Sequence, residues 1–394
     1  MSTQHRPTGD DELAAWLRLA LSPGLGPERQ RRLLAAFGLP SSIFAHERSA
    51  LSAVIGSEGA DIALGAPDAA AIETALAWCA EPGNHILTLA DSDYPQSLLD
   101  TADPPIVLYV KGDPALLNRP ALAMVGARSA TAQGELNAAA FARSLSEAGL
   151  TIVSGLALGI DAAAHRGALS GGEGSTIAVI GTGADRIYPA RNAALAREIA
   201  SHGAIISEFA LGTPPLRHNF PRRNRLIAGL SHGVLVVEAA LGSGSLITAR
   251  LATETGREVF AIPGSIHSPL ARGCHRLIRE GAKLVETAED VLEELRAQVT
   301  TLPDAPCRPR RTRPAASTTA QVQPELPLTP EASCIFDALG DESVDIDTLG
   351  LRCGLTVDAL YAILLPMELE GQIVRVAGSR FQRLRKPGAL VRNP

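Results

Sequence analysis

Residues 220–248 read FPRRNRLIAGLSHGVLVVEAALGSGSLIT. At the centre, Val234-Leu235-Val236-Val237 is a short continuous run of β-branched and aliphatic residues, the pattern of a strand buried on both faces. It is followed by the small-residue turn Gly242-Ser243-Gly244-Ser245, after which Leu246–Thr255 returns to helical spacing. A buried strand, a glycine-serine loop and a helix make half of a βαβ unit, where backbone N–H groups at the helix start favour anions. Upstream, Arg222, Arg223 and Arg225 crowd around Asn224 beside Phe220 in what reads as a polar loop. Guanidinium forks match phosphate oxygens, so the stretch predicts a phosphate site.

Working outward, the same alternation runs from His85 to Arg296. Strands are expected at Ile86–Leu89, Ile106–Val110, Leu122–Val125, Thr151–Val153, Ile177–Ile180, Ala204–Ile206, Val234–Val237, Val259–Ala261 and Lys283–Val285, with helices such as Thr131–Ala148 between them. Right-handed crossovers onto a mostly parallel sheet follow from that order. The fold class is therefore α/β, an extended Rossmann-like domain over residues 81–299. Residues 10–80 have helical spacing around Ser22-Pro23-Gly24-Leu25-Gly26-Pro27, a SAM/helix-hairpin-helix-like module that is either DNA-associated or a purely structural cap. Residues 300–330 are dense in proline and arginine and have too little apolar content to fold, so they read as a linker. Residues 331–386 show three helical runs, Cys334–Leu339, Ile346–Cys353 and Val357–Leu369, then two short strands around Ala377-Gly378-Ser379, the order of a winged helix. Its recognition helix carries Asp358 and Glu368, with Glu370 next to its end, and has no Lys or Arg, which favours a protein-interaction or accessory role over major-groove reading.

Composition narrows the function. With 46% hydrophobic and 20% charged residues, the chain describes a globular protein with ample core. No leader pattern and no membrane-length apolar run is present, so a cytoplasmic protein is expected. Five scattered cysteines, without a C-x-x-C pair, argue against a disulfide framework or an ordinary zinc site, and no metal or cofactor is expected. A net charge of −6 rules out wholesale basic attraction, so any nucleic-acid binding must rest on a local patch. The 36 basic residues include only three lysines, leaving arginine to supply that patch.

The dinucleotide fingerprint G-x-G-x-x-G is incomplete at both Gly126 and Gly181-Thr182-Gly183, and the G-x-x-x-x-G-K-[ST] loop is absent. What the strand ends offer instead is a row of small and basic residues: Gly126-Ala127-Arg128, Ser154-Gly155, Gly181-Thr182-Gly183, Arg191 and Ser243-Gly244-Ser245. Ligands of open α/β sheets collect at this carboxyl edge. An extended polyanion suits it better than one compact nucleotide. Phe220, an aromatic among arginines, is a candidate platform for an unstacked base, or else a hydrophobic anchor beneath its loop. Asp161 and His165, four apart on an expected helix, have a spacing that allows a pair, and a helix-surface or helix-start interaction is the favoured reading. Glu238 is the best candidate acid should an enzymatic activity exist.

Taken together, these blocks resemble the DNA-processing protein A family (DprA, also called Smf). The resemblance rests on Tyr94-Pro95, Asp103-Pro104-Pro105, Leu108-Tyr109-Val110-Lys111-Gly112, Val125-Gly126-Ala127-Arg128, Ser154 to Asp161 and Gly181 to Asp185. Tyr188-Pro189-Ala190-Arg191-Asn192, the opening stretch and Val259 to Gly264 complete it. It implies a DNA groove using Arg128, Arg191, Arg217 and Phe220. With the loop residues above, the expected DNA-binding set is Arg128, Ser154, Gly155, Arg191, Arg217, Phe220, Arg222, Arg223, Asn224, Ser243, Gly244 and Ser245. The resemblance further implies a nonenzymatic, homodimeric single-stranded DNA-binding recombination mediator of natural transformation, with a RecA-type recombinase and single-strand-binding protein as partners. The alternatives are a nucleotide-processing enzyme related to the phosphoribohydrolases, whose proline-glycine-glycine loop is absent here, and a transcription factor acting through the winged helix.

Overall fold

The computed structural model describes residues 10–296 apart from 173, and residues 330–384 apart from 341–342, 370–371 and 377–379. The expected linker thus lies, but for its last residue, outside the described residues, as does the turn at 377–379.

Five helices precede the first strand: α1 (Asp10–Leu21), α2 (Pro27–Phe37), α3 (Pro40–Ala45), α4 (Arg48–Leu64) and α5 (Ala69–Cys79). Their apolar faces converge on Leu13, Trp16, Leu17, Leu33, Ile43 and Leu51. The buried side chain of Gln30 crosses the first turn, donating to the carbonyls of Leu19 and Leu25 at 3.0 Å each, and so ties α2 to the end of α1. This core does not stop at the helices. It continues into Ile86, Ile106, Val107 and Tyr109, with Trp78 edge-on to Tyr109 at 5.8 Å between ring centroids.

All nine expected strands are present and form one sheet: β1 (Asn84–Thr88), β2 (Val107–Gly112), β3 (Ala121–Val125), β4 (Thr151–Ser154), β5 (Thr176–Val179), β6 (Ala204–Ser207), β7 (Gly233–Val236), β8 (Glu258–Ala261) and β9 (Lys283–Leu284). Their spatial order is β1-β2-β6-β5-β4-β3-β7-β8-β9. Between them run α6 (Gln96–Leu99), α7 (Ala132–Glu147), α8 (Ile160–Leu169), α9 (Ala193–His202), α10 (Asn219–Gly229), α11 (Ser245–Glu254), α12 (Arg272–Arg279) and α13 (Ala288–Arg296). The strands from β6 to β9 are parallel, whereas β2 is antiparallel to β6 and β1 to β2. The link between β1 and β2 holds only the four-residue α6, too short to cover a crossover, so the chain doubles back.

Period-two alternation sends successive side chains of the central strands to opposite faces. Val234 and Val236 join Ala123 and Val125 on one side, while Leu235 joins Leu122 and Met124 on the other. Burial on both faces is why these runs read as continuously apolar.

The C-terminal unit has α14 (Pro330–Leu339), α15 (Ile346–Cys353), α16 (Val357–Leu369) and a three-stranded sheet of β10 (Val344–Asp345), β12 (Arg380–Arg383) and β11 (Ile373–Val376) in that spatial order. It is a winged helix around Ile335, Leu349, Leu360 and Phe381. Among the described residues no single helix is long and apolar enough to cross a membrane.

Candidate nucleic-acid interface

The carboxyl edge of the parallel strands is capped by the first turn of α10. Phe220 was expected in a polar loop, but it is the second residue of this helix. Pro221 is compatible because N–H groups in a first turn have no intrahelical acceptor, so the missing donor costs nothing. Two buried side chains of α10 hold it to the end of β5. Asn219 Nδ2 donates to the Gly181 carbonyl at 3.1 Å, and Arg223 Nη1 donates to the Val179 carbonyl.

This anchoring brings the half-buried Phe220 ring against Gly181, where an added Cβ would lie 3.1 Å from ring Cδ1. The Tyr188 ring lies beside it at 5.7 Å between centroids and 47° between planes. The Arg128 guanidinium sits 5.6 Å from the Phe220 centroid. Arg128, Tyr188, Arg191 and Arg217 are all exposed. Asn224 is half-buried one turn after Phe220, on the same helix face. Tyr188 is the residue the sequence reading passed over. Its signal was present, since it opens the Tyr188-Pro189-Ala190-Arg191-Asn192 block and aromatics are scarce in this chain.

Several expected contacts prove to be framework. Ser154 is fully buried and its hydroxyl donates to the Met124 carbonyl at 2.7 Å. Gly155 is buried beneath Arg223, whose guanidinium occupies the space a Cβ would need, and its N–H donates to Asp161 Oδ2 at 3.1 Å. Arg223 is 4% exposed, so it cannot present its fork to a strand at the surface. Burial pushes the Arg223 guanidinium down to about 10, so it stays charged at neutral pH. Burial likewise raises the Asp161 carboxyl above its ordinary value, while Arg223, the amides of Ala157 and Gly155 and the charge of Arg128 pull it back.

Asp161 and His165 do not bond each other: Asp161 accepts from the Gly155 and Ala157 amides just before α8, and His165 from the amide between them. His165 is fully buried, not on the helix surface; its Nε2 accepts the Leu156 N–H at 3.3 Å and its Nδ1 lies 2.6 Å from Thr176 Oγ1. The Thr176 hydroxyl donates to the Ile152 carbonyl at 2.6 Å, which makes Nδ1 the protonated nitrogen of a neutral ring. Burial first, then the charges of Arg223 and Arg166, hold the His165 pKa down to about 3.

Arg222 and Arg225 leave the groove by a different route. They lie on the other side of α10 and converge on Glu208, whose side chain is only 2% exposed. Arg225 also reaches Asp103 Oδ2 at 3.3 Å, and Asp103 pairs with Arg31 of α2. This chain of charges joins the N-terminal helices to α10.

The glycine-serine loop flanks the point where strand order reverses, between β3 and β7, next to the loop bearing Arg128. Ser243 and Ser245 share a hydrogen bond of 2.6 Å at the start of α11, Gly244 is exposed, and Ser245 is buried. Glu238 is spent on α7: its Oε1 accepts from the Thr131 hydroxyl at 2.6 Å and its Oε2 from the Thr131 N–H at 2.9 Å. Thr131 in turn caps the helix by accepting from the Gly134 N–H.

Residues 85–296 match the family profile described as DNA recombination-mediator protein A, and residues 318–379 match the DprA winged helix domain. Protein Smf of Escherichia coli (strain K12) is 44% identical over 316 residues, covering 80% of this chain and 81% of that protein. The DNA processing protein DprA of Streptococcus pneumoniae is 50% identical over 207 residues, 52% of this chain and 73% of its own length. The X-ray structure of DNA processing protein A from Streptococcus pneumoniae is 38% identical, with a TM-score of 0.64 over 73% of this chain and 98% of that one. A family profile matched along more than half of the chain, relatives this similar and the shared sheet lead to one conclusion: the chain belongs to the DNA recombination-mediator protein A family.

Proposed function

We propose that this protein binds single-stranded DNA along the carboxyl edge of its parallel sheet. Arg128, Arg191 and Arg217 contact phosphates, and Phe220 with Tyr188 stacks on unpaired bases. Asn224 and the Ser243-Gly244-Ser245 loop extend the path to either side. The observation that carries this reading is the Arg128–Phe220–Tyr188 cluster, in which a cation and a second aromatic ring each lie within 6 Å of the Phe220 ring, at the edge where α/β ligands collect. A guanidinium next to partly exposed aromatic rings suits a charged backbone with exposed bases, which a duplex does not offer.

The role we infer is that of a nonenzymatic recombination mediator in natural transformation, working as a homodimer that passes the strand to a RecA-type recombinase alongside single-strand-binding protein. Its place in the family supports this, as does the engagement of Glu238, the best candidate acid, in holding α7. A dimer links two grooves, which raises the effective local concentration of the second site. The deciding experiment is a binding assay on single and double strands with mononucleotides as competitors and turnover followed in parallel. Tight single-strand binding without turnover is expected. Equal affinity for duplex, or hydrolysis of a nucleotide, would overturn the reading.

A further inference from the structure

The cysteines are scattered along the sequence, yet the winged helix brings two of them together. Cys334 lies in α14 and Cys353 is the last residue of α15, and Cys353 Sγ sits 3.8 Å from the Cys334 carbonyl oxygen. The preceding residue fixes the same contact: Arg352 Nη1 donates to the Ala338 carbonyl at 2.8 Å, about one turn further along α14. Two consecutive residues at the end of α15 thus hold one helix, just before Gly354 turns the chain at a φ of 64°. A sulfur this near the other cysteine's backbone matches the approach a disulfide needs, in which the two Cα atoms stand about 4.4–6.8 Å apart.

The two thiols differ in their surroundings. Cys334 is exposed, whereas Cys353 is half-buried against the core built from Ile335, Leu349 and Leu360. Burial first, then the hydrogen bond and charge of the Cys334 side chain, raise the Cys353 thiol above its ordinary value, and Arg352 opposes them. An accessible thiol touching a second, sheltered one is the arrangement in which an oxidised sulfur is captured by its neighbour before it oxidises further. The other described cysteines stand apart, Cys79 on α5 and Cys274 fully buried against the end of β7.

We propose that Cys334 and Cys353 form a peroxide-sensitive dithiol that closes to a disulfide and braces α14 against α15. The Cys334 thiolate attacks hydrogen peroxide, forming an S–O bond as the O–O bond breaks. The sulfur supplies two electrons, and the departing hydroxide takes up a proton as water. The Cys353 thiolate then attacks the Cys334 sulfur, forming the S–S bond and expelling hydroxide, which takes the proton Cys353 released and leaves as a second water. Two thiols and one peroxide become one disulfide and two waters. A small unit with a single core gains from such a link, because the crosslink removes conformations from the unfolded chain between 334 and 353.

The test treats the reduced full chain with hydrogen peroxide, blocks the remaining thiols and digests with trypsin. Cleavage after Arg352 separates Cys334 from Cys353, so their peptides stay together only when joined through sulfur. The joined pair should appear, lighter by two hydrogens than the sum of its parts, and vanish with dithiothreitol. It should form about 10-fold faster or more in the folded chain than in urea, because the fold holds the thiols together. Cys353→Ser should arrest Cys334 as a sulfenic acid that dimedone traps, and Cys334→Ser should give neither product. Calorimetry on the oxidised parent should show the winged-helix transition raised by about 5–10 °C, with no rise in peroxide-treated Cys334→Ser. No joined pair, an equal rate in urea, Cys334 joined to a different cysteine, or Cys334 oxidised to a sulfinic acid while Cys353 stays a thiol would overturn the dithiol. A joined pair without a rise in the transition would overturn the brace.

Discussion

Phe220 and Arg223 are three positions apart on α10 and do opposite work. The Phe220 ring is half-open beside Arg128 and Tyr188, so Phe220→Ala should cost about 1–3 kcal/mol of single-strand affinity, with Trp or Tyr retaining most of it. Because the ring is only half-buried, the melting temperature should fall far less than for a core phenylalanine; affinity and melting curves on the same three variants check both. Arg223→Ala should behave in reverse. It leaves Asp161 buried without its cation, a loss of about 3–5 kcal/mol in stability, whereas Arg128→Ala should lower affinity and leave the melting temperature near that of the parent. Equal melting temperatures for the two variants would refute this division. Arg128 and Arg223 are indistinguishable by residue type, and what separates them is Gly155, 68 positions upstream of Arg223, making room for one guanidinium. Such a contact is not legible in one dimension. His165 adds a pH signature. Folded, it titrates near pH 3, well below its unfolded value of about 6.5. Between those values the unfolded chain binds the extra proton, so stability falls as pH drops through that window, by about 2 kcal/mol at pH 5. The raised carboxyls of Asp161 and Glu208 act with the opposite sign. The difference in pH slope between the parent and His165→Gln therefore isolates the histidine, and identical slopes would contradict its buried neutral state.

Strands were the most legible elements, because a parallel strand covered on both faces leaves a continuous apolar run such as Val234–Val237. The start of α10 was illegible for the complementary reason. Asn-Phe-Pro-Arg-Arg carries turn residues and charge, and only the carbonyls of Val179 and Gly181, reached by side chains, show that it is a helix docked on β5. Strand β10 escaped notice because it is two residues long. Glu238 was legible as unusual and as the best candidate acid should an enzymatic activity exist, but its structural partner was not legible, since Thr131 lies across the sheet edge at the α7 N-terminus. Thr131→Ala should accordingly destabilise the protein by about 1–2 kcal/mol through the lost cap, with Glu238→Gln lowering stability and leaving single-strand affinity unchanged. Loss of affinity in Glu238→Gln at native stability would place this carboxylate in the groove after all.

Across the whole molecule, three exposed arginines along one edge predict the salt response. The logarithm of single-strand affinity should fall against the logarithm of salt with a slope of about −2, shrinking by about 0.7 for each arginine replaced. A slope near zero would exclude a phosphate-tracking groove. Removing residues 297–394 should leave the sheet folded and reduce affinity only modestly, as sedimentation and binding on the truncated chain would report; a truncated chain without affinity would move the principal site to the winged helix. The helical character of residues 10–80 was readable from spacing, but their shared core with β1 and β2 was not, because Trp78 against Tyr109 is a contact between distant segments. That shared core has one more consequence. At one border of the sheet, four of the five β1 residues are buried; at the other, β9 is a two-residue strand whose Lys283 is held by Glu258 and Glu294. Neither border presents a long flat ladder of free amides to another chain. The nine-stranded sheet is therefore a poor template for extension by a second copy, and an assembly through this domain would be built from side-chain surfaces, which can come apart again without unzipping the fold.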